Sequence, residues 1–206
     1  MSIASPKTLY LATGNPGKLR EFRHAAAAKG ISVEALPHFA TLPPCIEDGE
    51  TFLANAQKKA LHYSKFTTGL VFADDSGICV DALGGAPGVY SARYSGPDAT
   101  DTANNALLLS ELKNARAKDR SAHYVCVIVL ACNKKVLGKF EGRADGVIIE
   151  APRGSGGFGY DPYFYFPPLG STFAELSPAE KFKVSHRGKA FRRLLNFFWD
   201  NRSHKA

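Results

Sequence analysis

The sequence predicts an α/β fold built on a mixed β-sheet, and three observations lead to that prediction. Strand-like and helix-like segments alternate over the first 75 residues in the order β-α-β-α-β. Residues 121–131 are apolar almost without interruption, which is typical of a strand at the centre of a sheet. A turn-forming stretch at residues 132–135 and a second strand-like stretch follow, which predicts a hairpin.

The elements of the first half are bounded by residues that start or stop them. Apolar runs of strand length occur at residues 8–13, 31–36 and 69–75. A first helix begins at Pro16 and stops at Gly30. After a Pro-containing loop at residues 37–50, Thr51 caps a second helix that runs to about residue 67. The strand at 69–75 is predicted to end in two acids, Asp74 and Asp75.

The second half contains one more helix before the hairpin and one after it. Residues 101–115 form a helix with Leu108 and Leu112 on one face. Residues 136–149 form the partner strand, bent at its glycines. Residues 151–168 contain too much Gly and Pro for a regular element, and the last helix begins near Ser177 or later.

Length and composition predict one soluble domain over residues 1–206. Apolar residues make up 45% of the chain, enough for a sizeable core, and no run approaches the roughly 20 residues of a membrane span. The first residues lack the apolar centre of a signal peptide, so we expect a cytoplasmic protein with no membrane contact. The four cysteines are scattered without a CxxC pair, which argues for small buried thiols rather than zinc ligands or disulfides.

The positive charge is unevenly distributed along the chain. Net charge is +7, and residues 171–206 carry eight Lys or Arg against three Asp or Glu, a balance of +5. A basic segment suggests an anionic partner, which could be a nucleotide, a nucleic acid or a phosphate ester.

A candidate phosphate site lies between the first strand and the first helix, in the stretch TGNPGK. Glycines there let backbone N–H groups approach an anion at a helix N-terminus, and Lys18 adds a point charge. The stretch is not a Walker A loop, because Gly14 and Gly17 are separated by two residues and Leu19 follows the lysine. An ordinary strand-to-helix turn is the alternative.

A candidate metal site is formed by acids. Asp74 and Asp75 point to opposite faces of their strand, so one of them faces a given cleft. Glu47 precedes the second helix in a loop that could reach the same place. Two carboxylates with phosphate oxygens and waters are a common way to hold Mg²⁺. A cap or turn role for a single Asp is the alternative.

Two further stretches carry candidate binding groups. GSGGFG formally matches GxGxxG, but no helix can follow it, so we reject a dinucleotide site. Aromatic side chains there could stack on a base beside Asp161, or could belong to the core. The last stretch brings hydrogen-bond donors together. They would bind the oxygen of a 6-oxo purine, whereas the amino group of adenine would face them unpaired. A solvated basic turn is the alternative. These donors are Lys181, His186 and Arg187.

Taken together, five segments resemble the inosine triphosphate pyrophosphatase family in family order over nearly the whole chain. They are LATGNPGKLREF, ETFLANAQKKA, FADDSGICVDALGGAPGVYSARYSG, GGFGYDPYFYFP and AELSPAEKFKVSHRGKAF. The resemblance implies an elongated two-lobed α/β fold with a long central mixed sheet flanked by helices and an inter-lobe substrate cleft. It implies a homodimer that needs Mg²⁺ and hydrolyses non-standard purine triphosphates such as ITP, dITP and XTP to monophosphate and pyrophosphate. This activity would keep such bases out of DNA and RNA.

The resemblance also implies roles for individual residues. Asp75 would be the proton acceptor that activates water, and with Glu47 it would hold the metal. The chain has Ile46 where many relatives carry a first Glu, so the metal role is placed on Glu47. The implied substrate-binding residues are Thr13, Gly14, Asn15, Pro16, Gly17 and Lys18 for the triphosphate, Ser76, the base-pocket residues Phe158, Gly159, Tyr160 and Asp161, and the base-reading donors Lys181, His186 and Arg187. Arg93 could contact phosphate or brace its loop.

Two rival functions use the same features. The first is a nucleotide pyrophosphatase of different base choice, which would share the metal and phosphate groups. The second is a nucleic-acid or nucleotide binding module without catalysis, which the basic C-terminal segment would favour. The acid pair Glu47 and Asp75 argues against that module, because carboxylates repel an anionic ligand unless a cation lies between them. We therefore expect no stable nucleic-acid complex.

Overall fold

We describe the protein from a computed structural model covering residues 6–27, 29–116 and 119–200. Residues 199 and 200 are described by their backbone alone. It contains strands β1 Thr8–Leu11, β2 Ser32–Ala35, β3 Val71–Val80, β4 Ser121–Cys132, β5 Lys135–Ile148, β6 Phe164–Phe166 and β7 Ser171–Thr172. The α-helices are α1 Pro16–Ala27, α2 Phe52–Tyr63, α3 Asp101–Glu111, α4 Pro178–Val184 and α5 His186–Asp200.

The seven strands form one sheet in the order β2-β1-β3-β4-β5-β6-β7. Strand β1 runs parallel to both β2 and β3, whereas β6 runs antiparallel to both β5 and β7. The sheet is therefore mixed, and β4 occupies its centre as its continuous apolar run predicts. The predicted α/β class is confirmed.

The chain divides into two compact units. The first contains the described residues up to Asp75, residues 126–142 and those from Arg187 onward. Its core includes an aromatic cluster in which Phe22, Phe72 and Phe191 are fully buried, with ring centroids 4.9–5.7 Å apart. The second contains residues 76–125 and 143–186 as far as the structure describes them, and its core packs Leu108 and Leu112 with aromatic side chains.

Local capping residues determine where several helices begin. The Thr51 hydroxyl accepts a hydrogen bond from the Ala54 N–H, as predicted for the start of α2. This helix ends at Tyr63, four residues before its predicted end. Ser177 forms a capping box with Glu180 at the start of α4. Among the described residues, no helix is long and apolar enough to cross a membrane.

The prediction that the third strand ends at Asp74 and Asp75 is wrong. Strand β3 continues through both acids to Val80. Gly77 permits this, because a Cβ there would lie 2.3 Å from the Ser91 Oγ and 2.4 Å from the Gly88 carbonyl oxygen. The glycine is therefore needed because the segment that contains Gly88 and Ser91 packs closely against β3, and it does not mark the end of the strand.

Further boundaries differ from the prediction. Helix α3 ends at Glu111 rather than at residue 115. Residues 164–166 form β6 inside the stretch predicted to be irregular, because antiparallel pairing with β5 on one side and β7 on the other supports a strand of three residues. The C-terminal helix is two helices, separated by Ser185 with extended backbone at ψ 158°. The turn at Asn133 and Lys134 is confirmed, and both residues have positive φ. The single domain, the elongated shape and the inter-lobe cleft stay predictions.

Candidate functional site

The turn at residues 13–18 is closed by its own side chains. The Asn15 Oδ1 accepts hydrogen bonds from the N–H groups of Gly17 and Lys18 at 2.8 and 3.1 Å, and the Thr13 hydroxyl accepts from the Asn15 N–H. Pro16 opens α1, where its missing N–H costs nothing. Asn15 therefore caps the helix, and an anion that used these two N–H groups would have to replace its side chain.

Asp74 is a buried carboxylate among cations in the first unit. Its Oδ2 lies 2.8 Å from the Lys18 Nζ and 3.9 Å from the Arg187 Nε. Burial by itself would raise the pKa of Asp74, but Lys18, Arg187 and Lys59 outweigh it and lower the pKa to about 2. Asp74 is thus ionised and holds two cations of the predicted site.

Arg187 is buried between two acids rather than exposed in a basic turn. It is 3% exposed, and its Nη1 lies 2.5 Å from the Glu21 Oε2 on α1. Burial would lower the pKa of the guanidinium, but Glu21 and Asp74 raise it. Its predicted contact with a 6-oxo purine stays a prediction.

Asp75 contacts a different helix from Asp74, as expected for adjacent residues of a strand. Its Oδ2 accepts a hydrogen bond from the Asn55 Nδ2 at 3.1 Å, and its Oδ1 lies 3.5 Å from the Lys59 Nζ. Burial raises the pKa of Asp75, and the opposing effects of Lys59, Lys18 and Asn55 do not cancel that increase. A carboxylate with a raised pKa is better suited to accept a proton from water than an ordinary one.

Glu47 and Asp75 meet at one buried cation. The Lys59 Nζ lies 2.7 Å from the Glu47 Oε2 and 3.5 Å from the Asp75 Oδ1, and Lys59 is 8% exposed. Burial would lower the pKa of Lys59, but Asp75, Asp74 and Glu47 raise it, so the ammonium stays charged. Ile46 is 71% exposed, whereas Glu47 takes the position beside the cation.

These two carboxylates fit a Mg²⁺ ion, because their oxygens already converge on a positive charge. Among the described residues, three or more His, Cys, Asp or Glu side chains nowhere gather into a metal-binding group. The ion would therefore keep several ligands from water or phosphate, as Mg²⁺ usually does. Ser76, the next residue of β3, is partly exposed.

In the second unit, the structure brings together two residues predicted for the base pocket and one predicted base-reading donor. The Lys181 Nζ lies 2.6 Å from the Asp161 Oδ2 and 5.0 Å from the centroid of the Phe158 ring. Asp161 also accepts a hydrogen bond from the Phe158 N–H at 2.8 Å. Gly157 must be glycine here, because its φ is +73° and a Cβ would lie 2.1 Å from the Asp161 Oδ2.

The neighbouring residues are held by the core of the second unit. Tyr160 is buried, and its hydroxyl donates to the Ser91 carbonyl oxygen at 2.8 Å. Gly159 is held by α3, since its N–H donates to Asp101 and its carbonyl accepts from Asn105. His186 is 2% exposed and stacks on Tyr124 with ring centroids 4.5 Å apart.

Arg93, whose role the sequence left open, lies with its guanidinium 5.2 Å from the centroid of the Tyr90 ring.

The predicted residues therefore fall into two sets, one in each unit. Lys18, Glu47, Asp75 and Arg187 belong to the first, and Ser76, Phe158, Asp161, Lys181 and His186 to the second. Sequence reasoning missed Asn55, Lys59 and Glu21. A signal for the first two existed, because Asn55 and Lys59 are polar residues four apart on the face of α2 that also buries Ala56 and Ala60.

The first set can hold a divalent cation on two carboxylates and an anion beside Lys18, which an α/β enzyme that hydrolyses phosphate anhydrides requires. Comparison with known proteins agrees with this class. The Ham1 family model matches residues 9–197. A dITP/XTP pyrophosphatase of Thermus thermophilus is 50% identical over 192 residues, 93% of this chain and 92% of that protein. One from Geobacillus kaustophilus is 47% identical over 188 residues, 91% of this chain and 92% of that protein.

Solved structures show the same likeness. A HAM1 protein from Coxiella burnetii superposes with a TM-score of 0.84 at 40% identity, covering 95% of this chain and all of that chain. The Ham1 protein of Staphylococcus aureus gives 0.82 at 38% identity, covering 94% of this chain and 99% of that chain. The chain belongs to the Ham1 family, and the resemblance read from its five segments is confirmed.

Proposed function

We propose that the protein hydrolyses non-standard purine nucleoside triphosphates, namely dITP, ITP and XTP, to the monophosphate and pyrophosphate. The observation that carries the chemistry is the convergence of Glu47 and Asp75 on one buried cation. The substrate class is supported by relatives named dITP/XTP pyrophosphatase that are about half identical over nearly the whole chain. The activity would remove these nucleotides before they enter DNA or RNA.

In this proposal, Asp75 accepts the proton of the attacking water. Of the two adjacent acids it is the better candidate, because the carboxylate of Asp74 is already held by Lys18 and Arg187. Glu47 and Asp75 would hold Mg²⁺, which neutralises phosphate charge and orients the substrate when it is bound. The turn Thr13–Lys18 would receive the triphosphate, with Lys18 exchanging Asp74 for a phosphate oxygen.

The base would be read in the second unit. Phe158 offers a ring for stacking, and Lys181 beside Asp161 is a buried donor held in one place. A 6-oxo group can accept from such a donor, whereas adenine would place its own amino group against it. His186 would add a second donor in the same unit, whereas the base-reading role of Arg187, a residue of the first unit, is proposed on the family resemblance alone.

The remaining features are proposed on the family resemblance: a homodimer in the cytoplasm that forms no stable complex with nucleic acid. The charges of the C-terminal segment agree with the last point. Lys181 and Arg187 contact carboxylates of this chain, and Arg193 donates to the Glu141 carbonyl oxygen. Lys181 and Arg187 are buried and add little to the basic surface that the sequence suggested, whereas Arg193 is exposed.

A product analysis tests the proposal. The protein is incubated with XTP, ITP, dITP, ATP and GTP, each with and without Mg²⁺, and pyrophosphate is measured separately from phosphate. We expect monophosphate and pyrophosphate, dependent on Mg²⁺, mainly from the first three. Pyrophosphate from all five at similar rates would refute the base selectivity and favour an enzyme of broader base choice. No turnover with any of them would favour a binding module.

A further inference from the structure

A loop of residues 43–49, which we call the acid loop, is tied to helix α2 along its length. Residues early in the loop meet residues late in the helix. They join Pro43 to His62, Cys45 to Tyr63, Glu47 to Lys59, Asp48 to Lys58 and Gly49 to Asn55. The loop that carries Glu47 is therefore ordered by one helix of the first unit.

Asn55 is the member of this series that also reaches β3. It is 1% exposed, and its Oδ1 accepts from the Gly49 N–H at 2.8 Å. Its Nδ2 donates to the Gly49 carbonyl oxygen at 3.2 Å and to the Asp75 Oδ2 at 3.1 Å. The Oδ1 faces one donor and the Nδ2 faces two acceptors, which determines the orientation of the amide. One side chain thus binds both polar backbone groups of Gly49 and a carboxylate of β3.

The contact with Gly49 is too close for any other residue. A Cβ at Gly49 would lie 2.7 Å from the Asn55 Oδ1 and 2.8 Å from the Ala54 Cβ. The φ of this glycine does not require glycine, so the constraint is the approach of the loop to the helix alone. The chain therefore keeps a glycine where the amide needs direct access to the backbone.

We propose that Asn55 is a positioning residue, which ties the acid loop to Asp75 and so sets the distance between the two carboxylates that hold the divalent cation. The inference rests on the proposed function for its assignment of Glu47 and Asp75 as metal ligands. Asn55 contacts the Asp75 Oδ2, which leaves the Oδ1 directed at the point where Lys59 and Glu47 meet.

Lys59 cannot perform this task in the metal-bound protein. Its ammonium occupies the point on which both carboxylates converge, so a divalent cation there competes for the same oxygens. The hydrogen bonds of Asn55 use other atoms, so that exchange does not require them to break. Residues that orient metal ligands in this way typically change metal affinity by 10–100-fold when they are removed.

The test measures the binding of Mn²⁺, a paramagnetic substitute for Mg²⁺, to the protein in the absence of nucleotide. Electron paramagnetic resonance monitors the binding. We expect Asn55→Ala to weaken Mn²⁺ binding by about tenfold or more. The matched control is Asn104→Ala in the second unit, a buried Asn on α3 that holds a loop through the Ser95 N–H and the Ser91 carbonyl. We expect this control to bind Mn²⁺ as the wild type does.

A second variant approaches the same contact from the loop. Gly49→Ala keeps the amide but pushes the loop away from α2, and we expect it to weaken Mn²⁺ binding as well. Because both changes act on one contact, the double variant should lose less affinity than the sum of the two losses. This variant also provides the answer if Asn55→Ala fails to fold.

Several outcomes would overturn the inference. They are wild-type affinity in Asn55→Ala or in Gly49→Ala, an equal loss in Asn104→Ala, additive losses in the double variant, or no Mn²⁺ binding by the wild type. The proposed function is judged separately by pyrophosphate release. A protein that binds Mn²⁺ as expected yet releases no pyrophosphate would keep the positioning role and refute the activity.

Discussion

Replacement of Arg187 by Met should destabilise the fold strongly, because the guanidinium is buried between Glu21 and Asp74. Removing one partner of a buried ion pair costs about 3–5 kcal/mol, since the remaining charge is left in a medium of low polarity. Asp74 keeps Lys18 at 2.8 Å, and Glu21 retains some exposure, so we place the loss near the lower end, at about 3 kcal/mol.

For a protein of this size, each kcal/mol shifts the melting temperature by about 2–4 °C, so the expected decrease is roughly 6–12 °C. Differential scanning calorimetry of the purified variant measures it. The control is Arg143→Met, whose ion pair with Asp145 has side chains 51% and 69% exposed. An exposed pair contributes about 0–1 kcal/mol, so the control should melt close to the wild type. If Arg187→Met melts as high as this control, the buried-pair reasoning is refuted.

The same variant separates two roles for Arg187. Rates with ITP and ATP are measured at a temperature where calorimetry shows the variant to be folded. If Arg187 reads the base, the ratio of the ITP rate to the ATP rate should be smaller in the variant than in the wild type. An unchanged preference in a protein of lowered melting temperature would assign Arg187 to structure alone.

Three further predictions concern the other charged groups. Asp75→Asn should abolish pyrophosphate release while circular dichroism stays that of the wild type; turnover near the wild-type rate would remove Asp75 from catalysis. Lys18→Met should raise the pKa of Asp74 from about 2 towards its usual 3.8. Because the pKa of Asp74 is lowered in the folded protein, its carboxylate stabilises the fold at pH values above 3.8, and this stabilisation is lost as the pH falls through about 2. The acid unfolding midpoint of the variant should therefore move to higher pH. An unchanged midpoint would contradict this reasoning. Lys181→Met should leave the buried Asp161 without its cation, lower stability by about 3–5 kcal/mol in urea titrations, and reduce the preference for ITP over ATP; a loss below 1 kcal/mol would speak against the pair.

Features determined by neighbouring residues could be predicted from the sequence. Thr51 caps α2, and its hydroxyl needs only the N–H three residues later. The apolar run of β4 predicted the centre of the sheet, because a strand buried on both faces needs no polar alternation. The end of β3 was missed for the opposite reason, since Gly77 is explained by Ser91, fourteen residues away in the chain.

The residues of the candidate site were found by their chemistry, but their partners were not. Asp75 and Glu47 were indicated because Mg²⁺ takes carboxylate ligands, and Lys181 because a 6-oxo purine needs a hydrogen-bond donor. Which charge meets which depended on packing: Arg187 pairs with Glu21 across 166 residues of sequence, and Asn55 reaches Asp75 across 20. The sequence by itself thus determined the fold class, most of the elements, the family and the kinds of group in the site. Only the tertiary structure decided which carboxylate is held ionised and which has its pKa raised, because burial and the distances to Lys18 and Lys59 control both.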